Sequence, residues 1–421
     1  MHARAPFAVC CGPRRPLAAV LYGLALFAAS AVQAAAPLTV ISSTVASAPA
    51  TAPLPQNNAS SPAAVPVTAS GVQALAPTAT GQFIAVLLPA RSKAWKPAVD
   101  AIKAGLFAAE GALSDGDQPP LRIFDTTDAD DDILTQFNRA RNLGAAAVIG
   151  PLTKTAVNNL GDNAHFEFPV LALNAFDDKT FRRPNFYSFS LSTEAEAAQV
   201  AGWMHDDGVT NPLIVVGDGA LAQRMAQGFT EGWQAQGGKL PGVLAMPVNR
   251  PDYTALRGQL EQMQADAVFL AMNDKMARRV RPFIGTDRPV YATSQINPGR
   301  LAPTAMIDLA GIRYLDMPWI GDPANPAWRM YEHARSPSND VERLFALGVD
   351  AWRLSAAILG ARPGTAIDDN GLTGELHVGP DGVVVRRMMP LEMSLKVPDA
   401  EAPDSHPLEP AASAPTAAVH E

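Results

Sequence analysis

The sequence predicts an α/β fold of two Rossmann-like lobes with a central cleft between them, flanked by disordered tails. Short apolar runs alternate with segments of helical period, and this alternation occurs in two consecutive series. Of the 421 residues, 48% are apolar, which is enough for a sizeable core. The 37 prolines are too many for one ordinary fold and mark segments that do not fold.

A signal peptide is predicted for residues 1–34. A positively charged segment precedes an apolar core at Leu17–Val32, and a small-x-small cleavage pattern ends at Ala34. The apolar run is shorter than the roughly 20 residues that a transmembrane helix needs. Cys10 and Cys11 precede the apolar core instead of following it, so there is no lipobox. We expect a soluble periplasmic protein whose mature form lacks cysteine.

Residues 35–80 and 397–421 are predicted to be disordered tails. The first is rich in Ala, Pro, Ser and Thr and has almost no charge, which favours an extended tether. The second has a similar composition and is acidic. The predicted core is 81–396, divided into lobe 1 (about 81–192 and 319–375) and lobe 2 (about 193–318 and 376–396).

The first series begins with an apolar run of strand length. Ile84–Pro89 is uninterrupted and ends in proline, which is typical of a strand buried on both faces of a parallel sheet. The next segment places its apolar residues on one helical face between Val99 and Leu113. The same reasoning predicts strands at Leu121–Asp125, Ala146–Pro151, Pro169–Asn174 and Phe186–Ser192, and helices at Asp130–Leu143 and Thr153–Gly161.

The second series repeats the pattern, and the chain then re-enters the first lobe. Its predicted strands are Leu213–Gly217, Val243–Val248, Ala267–Met272, Pro289–Ser294 and Ile312–Trp319. Its predicted helices are Glu194–Asp207, Leu221–Gln236, Tyr253–Met263 and Lys275–Ile284. A long helix at Val341–Leu359 follows, and the fold closes with a hairpin of Thr373–Val378 and Val383–Met389 around a Gly-Pro-Asp-Gly turn.

The predicted ligand site is the cleft, because ligands of open parallel sheets bind beyond the carboxyl ends of the strands. The residues at these strand ends are the candidate cleft residues: Gly150, Pro151, Thr153, Asn174, Phe176, Gly217, Asp218, Asn273, Asp274, Ser294 and Gln295. The alternative for each is a local role in helix capping or turn formation, with Thr153 as an N-cap.

No motif of the core predicts an enzyme, a cofactor or a metal site. Gly217–Ala222 matches the dinucleotide fingerprint G-x-G-x-x-A, but the next strand does not end in the expected acidic residue, which favours a plain strand–helix turn. The aspartates between Asp128 and Asp132 lack the spacing of a calcium loop and suit the first turn of a helix. With a net charge of −8 and no basic block in the core, the chain has no footprint for nucleic acid.

Several segments of the core carry a family resemblance when taken together. The most specific are VYATS, the GIRYLDMPW segment and the ALGVDAWRL helix, and they occur with IAVLLP, VIGPLTKTAVNNL and PVLALNAF. This combination resembles the LppC family of LpoA-type penicillin-binding-protein activators, over about Gln82 to Ser394. The resemblance implies a type I periplasmic-binding-protein fold without enzymatic activity. Known members are lipoproteins with a helical-repeat domain in the place of the tether 35–80.

Two function hypotheses of different class follow. The resemblance implies a regulator, in the periplasm or at the periplasmic face of the outer membrane, that binds and activates a class A penicillin-binding protein in peptidoglycan synthesis. Murein or a small cleft ligand is a further expected partner. The alternative is a solute-binding protein of an ABC transporter with an amino-acid-like ligand. Leu152 stands where such receptors carry a small polar residue, and this favours the regulator.

Overall fold

The computed structural model describes residues 82–127, 129–177, 182–246, 253, 255–362 and 364–394. The predicted signal peptide, the tether and the acidic tail lie outside these residues. What the sequence predicts for those three segments therefore stays a prediction.

Lobe 1 is built on a five-stranded parallel sheet of order β2-β1-β3-β4-β5. Its strands are β1 (Phe83–Leu88), β2 (Leu121–Asp125), β3 (Ala145–Ile149), β4 (Val170–Ala172) and β5 (Phe186–Ser188). Its helices are α1 (Lys96–Leu113), α2 (Asp130–Asn142), α3 (Lys154–Asn163) and the long α10 (Asn339–Gly360). All six residues of β1 are buried, as the uninterrupted apolar run predicts for a central strand.

Lobe 2 is built on a six-stranded sheet of order β14-β10-β9-β8-β6-β7, in which only β14 is antiparallel to its neighbour. Its strands are β6 (Pro212–Val216), β7 (Gly242–Ala245), β8 (Ala267–Ala271), β9 (Val290–Ala292), β10 (Ile312–Asp316) and β14 (Met389–Glu392). Its helices are α4 (Thr193–Asp206), α5 (Ala220–Ala235), α6 (Leu256–Gln262), α7 (Asp274–Ile284) and α8 (Pro303–Leu309).

A small antiparallel sheet of β11 (Ile367–Asn370), β12 (Glu375–Val378) and β13 (Val384–Arg387) completes the fold. The predicted hairpin is confirmed, since β12 pairs with β13. The prediction of one continuous strand to Met389 is wrong. The chain leaves β13 at Met388, whose buried amide donates to the Gln199 side chain, and continues as β14 in lobe 2.

The predicted strand Ile312–Trp319 is also shorter in the structure than expected. It ends at Asp316, because Pro318 begins the one-turn helix α9 (Pro318–Gly321). Two 3-10 turns, Ser294–Ile296 and Pro326–Met330, flank this region. The chain thus passes between the two lobes after β5, after β10 and after β13.

One apolar core runs through both lobes. Ile84 of β1 and Phe269 of β8 belong to the same buried cluster, which includes residues of α1, α4, α5 and α10. The opposite faces of the two sheets have separate cores, to which Phe83 and Leu270 belong. The lobes are therefore joined by packing as well as by the chain.

In each lobe two helices meet at glycines. A Cβ atom on Gly105 of α1 would lie 2.0 Å from the Phe345 carbonyl oxygen of α10, and one on Gly348 would lie 2.2 Å from that of Ile102. In lobe 2, a Cβ atom on Gly228 of α5 would lie 2.4 Å from a carbonyl oxygen of α4. Only glycine permits this approach of the two backbones.

Candidate functional site

The turn after β3 is one wall of the predicted cleft. Thr153 is the N-cap of α3, as predicted, and its hydroxyl accepts a 3.3 Å hydrogen bond from the Ala156 amide. Gly150 has φ of +105°, and a Cβ atom there would lie 2.2 Å from the Leu87 carbonyl oxygen, so this position requires glycine. Pro151 is buried beside it. The wall is closely packed, and the Thr153 hydroxyl is already used as a cap.

Asn174 fastens the turn after β4 to the turn after β3. Its Nδ2 donates to the Leu152 carbonyl over 2.9 Å, and its Oδ1 accepts from the Ala175 amide over 2.9 Å. Phe176 packs against Phe186, with ring centroids 4.9 Å apart. The structure therefore brings Thr153 and Asn174 together, with Leu152 between them. However, the side-chain nitrogen and oxygen of Asn174 both form hydrogen bonds to backbone groups.

The predicted residues of lobe 2 act mainly as turns and caps. The Asn273 side chain accepts a 3.1 Å hydrogen bond from the Met276 amide and caps α7, and Asp274 follows in its first turn. Gly217 lies against Met272, which leaves no room for a side chain. Asp218 is exposed, in the turn that leads to α5. None of these four residues lines the pocket between the lobes described next.

A pocket of about 240 Å³ lies where the lobes face each other. Lobe 1 contributes Lys154 and Asn174, lobe 2 contributes Glu194 and Arg224, and the crossing segment contributes Ser192. Leucines of α10 form its apolar side. Of the eleven predicted cleft residues only Asn174 lines this inter-lobe pocket, and the contribution of α4 and α5 was missed.

The charges of the inter-lobe pocket are already paired. Arg224 Nε donates to Glu194 Oε1, and Arg224 Nη2 donates to Glu194 Oε2 over 2.9 Å. Burial raises the pKa of Glu194, but hydrogen bonds from Arg224 and Ser192 outweigh burial and lower it to about 2. Lys154 pairs with Asp177 over 2.6 Å. A zwitterionic ligand would have to displace one of these partners.

Ser294 and Gln295 lie deeper, at the 3-10 turn after β9. Ser294 is buried, and both its amide and its hydroxyl donate to the Glu196 carboxylate of α4. Burial raises the pKa of Glu196 to about 7, although the Ser294 amide acts in the opposite direction. Gln295 is partly exposed beside it. Ser294 therefore joins α4 to the 3-10 turn after β9.

Arg343 of α10 holds the crossing after β10. Its Nε donates to Asp316 Oδ1 over 3.1 Å, and its Nη2 donates to Asp316 Oδ2 over 2.8 Å. The same Nη2 reaches the carbonyl oxygens of Ser294 and Asn297 at 3.0 and 2.9 Å. One buried side chain thus fixes the start of α10 to two segments of lobe 2.

Two buried acids of α10 fix further segments. Asp350 accepts hydrogen bonds of 2.7 Å from both the amide and the hydroxyl of Thr373, and Glu342 accepts one of 2.8 Å from Trp319 Nε1. Sequence reasoning missed these residues. A detectable signal was the pair Arg343 and Asp350, which lie seven residues apart and therefore on one face of the helix, among its apolar residues.

The described part of the chain holds no cluster of three or more His, Cys, Asp or Glu side chains arranged to bind a metal ion. Within that same part, every helix is too short or too polar to span a bilayer.

The family comparison agrees with the resemblance seen in the sequence. The model described as "LppC putative lipoprotein" matches residues 48–250 and 253–394. Penicillin-binding protein activator LpoA of Pectobacterium parmentieri (strain WPP163) is 29% identical over 341 residues, which is 69% of this chain and 48% of that protein. LpoA of Pasteurella multocida (strain Pm70) is 29% identical, over 72% of this chain and 52% of that protein. The chain spans about half the length of these curated relatives.

Solved structures confirm the predicted fold class. A structure from Chromobacterium violaceum ATCC 12472, described as a "putative branched-chain amino acid ABC transporter", is 36% identical with a TM-score of 0.64, over 74% of this chain and 100% of that chain. The C-domain of LpoA (YraM) from Haemophilus influenzae, described as a regulator of PBP1A, is 24% identical with a TM-score of 0.63, over 74% of this chain and 98% of that chain.

Proposed function

The chain belongs to the LppC family, and on that premise we propose that it is a non-enzymatic regulator that binds and activates a class A penicillin-binding protein. The observation that carries the proposal is the family match, which extends over the whole described core. The curated relatives to which this chain is similar are named penicillin-binding protein activators. We place the protein in the periplasm, in solution or at the outer membrane, because the sequence predicts a signal peptide.

Two features of the lobes support a regulator over a solute receptor. A receptor that traps a small molecule needs free polar groups in its cleft and lobes that move apart. In the inter-lobe pocket the cations already have carboxylate partners. The lobes also share one apolar core, and Arg343 ties them through a buried ion pair. These features favour a fixed arrangement that presents an outer surface to a partner protein.

The test uses the full chain as bait in a pull-down from envelope extract of its own host. We expect recovery of a class A penicillin-binding protein, and a higher rate of peptidoglycan synthesis by that enzyme when the chain is added. The control is the same bait heated above its melting temperature. Recovery of a transporter permease without a synthase would contradict the proposal.

The second candidate is a solute-binding protein of an ABC transporter. The observation in its favour is the 36% identity to the Chromobacterium violaceum structure over that entire chain. Calorimetric titration of the full chain with amino acids and muropeptides separates the two functions. A regulator that acts through its outer surface gives no micromolar binding, whereas a receptor does.

A further inference from the structure

A second and larger pocket lies beside the hairpin of β12 and β13. Its volume is about 480 Å³, and it is enclosed by the end of β5, the first turns of α4 and the strand β13. We call it the hairpin pocket and define it by its walls: Phe176, Ser190, Ala198, Gln199, Val383–Val385 and Arg386. It meets the inter-lobe pocket only at Ala175 and Ser192. Of the eleven predicted cleft residues, only Phe176 lines the hairpin pocket.

Arg386 is the unusual residue of the hairpin pocket. Its side chain is buried, at 6% exposed, yet it has no ion-pair partner in the described part of the chain. Its Nε and Nη1 donate to the carbonyl oxygens of Ser190 and Thr373, each over 3.2 Å. Burial lowers the pKa of Arg386, whereas the charges of Glu196, Asp350 and Asp316 act to raise it. A buried charge that lacks a direct counter-ion is costly, which is a reason to expect one from outside.

Two further groups of the same pocket have donors with no hydrogen-bond partner among the described residues. Gln199 uses its Oε1 to accept from the Met388 amide, and its Nε2 makes no hydrogen bond to any described residue. The Ser190 hydroxyl is likewise unbonded among the described residues, although its carbonyl binds Arg386. Arg182 and Asp381 pair with each other at the rim, over 3.3 Å. Among the described residues the lining therefore has two arginines and one aspartate, a formal charge of +1, in a chain whose net charge is −8.

We propose that the hairpin pocket binds a small monocarboxylate with an apolar body. The carboxylate lies against Arg386, Ser190 and Gln199, where donors outnumber acceptors. The apolar body packs on Phe176 and on the valines of β13. The single excess positive charge of the described lining matches a monoanion, and its one carboxylate, Asp381, is paired with Arg182, so the described lining offers no free carboxylate for the ammonium of an amino acid.

The volume is in the range of small-ligand sites, about 300–1,000 Å³. The bound anion would bridge Gln199 of α4 and Arg386 of β13, which lie on two different crossings between the lobes. This site goes beyond the regulator function and does not depend on it, because binding is measured on the protein alone.

The experiment is calorimetric titration of the full chain with 4-methylpentanoate, leucine and inorganic phosphate. Leucine has the same apolar body and carboxylate as 4-methylpentanoate, and differs by its ammonium. We expect saturable binding of 4-methylpentanoate, with leucine and phosphate at least about tenfold weaker. Equal binding of leucine, or no binding of the carboxylate at millimolar concentration, overturns the proposal.

Two variants test the location of the site while leaving the buried Arg386 in place. Gln199→Glu keeps an oxygen for the Met388 amide but replaces the free donors with a carboxylate. Val385→Asp puts a charge on the pocket wall at a residue that is 57% exposed. Both should weaken 4-methylpentanoate by about ten- to a hundredfold. The matched control is Val243→Asp on β7, a strand valine that is 55% exposed and outside the pocket.

The melting temperature of each variant is measured before titration, so that a folding defect is recognised. Binding that Gln199→Glu and Val385→Asp leave unchanged in folded protein overturns the site. Binding that Val243→Asp weakens equally also overturns it, because the effect then comes from net charge.

Discussion

Replacing Arg343 by Met tests the role assigned to the buried ion pair between the lobes. The guanidinium makes two hydrogen bonds to Asp316 and two to backbone carbonyl oxygens, of Ser294 and Asn297. It also reaches the exposed Asp340 over 2.8 Å. Methionine retains most of the apolar stem, so that the change removes chiefly the charge and the donors.

The expected loss of stability follows from the Asp316 carboxylate, which the variant leaves without its partner. Asp316 has no exposed surface, and without Arg343 its carboxylate would be buried with one remaining hydrogen bond, from the Met317 amide. Breaking a buried ion pair by removing one partner costs about 3–5 kcal/mol of the free energy of unfolding. Domains have about 5–15 kcal/mol in total, so the variant should be markedly less stable.

The assay is unfolding in guanidinium chloride followed by tryptophan fluorescence. The control is Arg257→Met, which removes an ion pair with Glu261 in which both side chains are 61% exposed and which should change stability by about 0.5 kcal/mol or less. A double variant, Arg343→Met with Asp316→Asn, should recover part of the loss because the unpaired buried carboxylate at position 316 is then gone. A loss below about 1 kcal/mol for the single variant, or no recovery in the double, would refute the reasoning.

Three more outcomes follow from the structure. Because burial raises the folded-state pKa of Glu196 from 4.5 to about 7, wild-type stability should fall as the pH rises across that interval, and the pH–stability profile of Glu196→Gln should lack this fall. Gly348→Ala should destabilise by about 1–3 kcal/mol or more in denaturant unfolding, since the new Cβ meets a carbonyl of α1, whereas Gly360→Ala, with nothing within 4 Å, should not. Joint replacement of Thr153 and Asn174 by Ala should cost about 1 kcal/mol through the lost cap and about 1 kcal/mol more for each of the two lost Asn174 hydrogen bonds, and should leave synthase stimulation within about threefold in folded protein; amino-acid or muropeptide binding that this variant abolishes would instead favour the receptor.

The sequence predicted most elements because their signals are local. The run at Ile84 and the apolar spacing of α10 depend only on neighbouring residues, and the structure has both elements within a few positions. The strand β11 was missed because its sequence, Ile367–Asn370, is mostly polar; it forms only by pairing with β12. Its stability is tertiary, and no pattern within four residues could have predicted it.

The site was harder to predict than the fold, because it too depends on contacts between residues that are far apart in the chain. Thr153 and Asn273 lie at strand ends as predicted, and the structure uses them as caps, which is the local role given as the alternative to ligand binding. The buried charged groups around the site have partners that lie far away in the chain. Glu196 binds Ser294, 98 residues later, and Arg386 binds the Ser190 carbonyl, 196 residues earlier. Periodicity indicates that a residue is buried but does not identify its partner.

The apolar core shared by both lobes has a consequence for how the protein melts. Two lobes with separate cores would give two heat-absorption peaks, since each could unfold while the other stayed intact. Here the helices α1, α4, α5 and α10 bury their faces in one cluster. Opening either lobe would expose that cluster to water, so neither lobe is expected to survive alone. The described core should therefore melt in a single cooperative transition, in which the calorimetric and van't Hoff enthalpies agree.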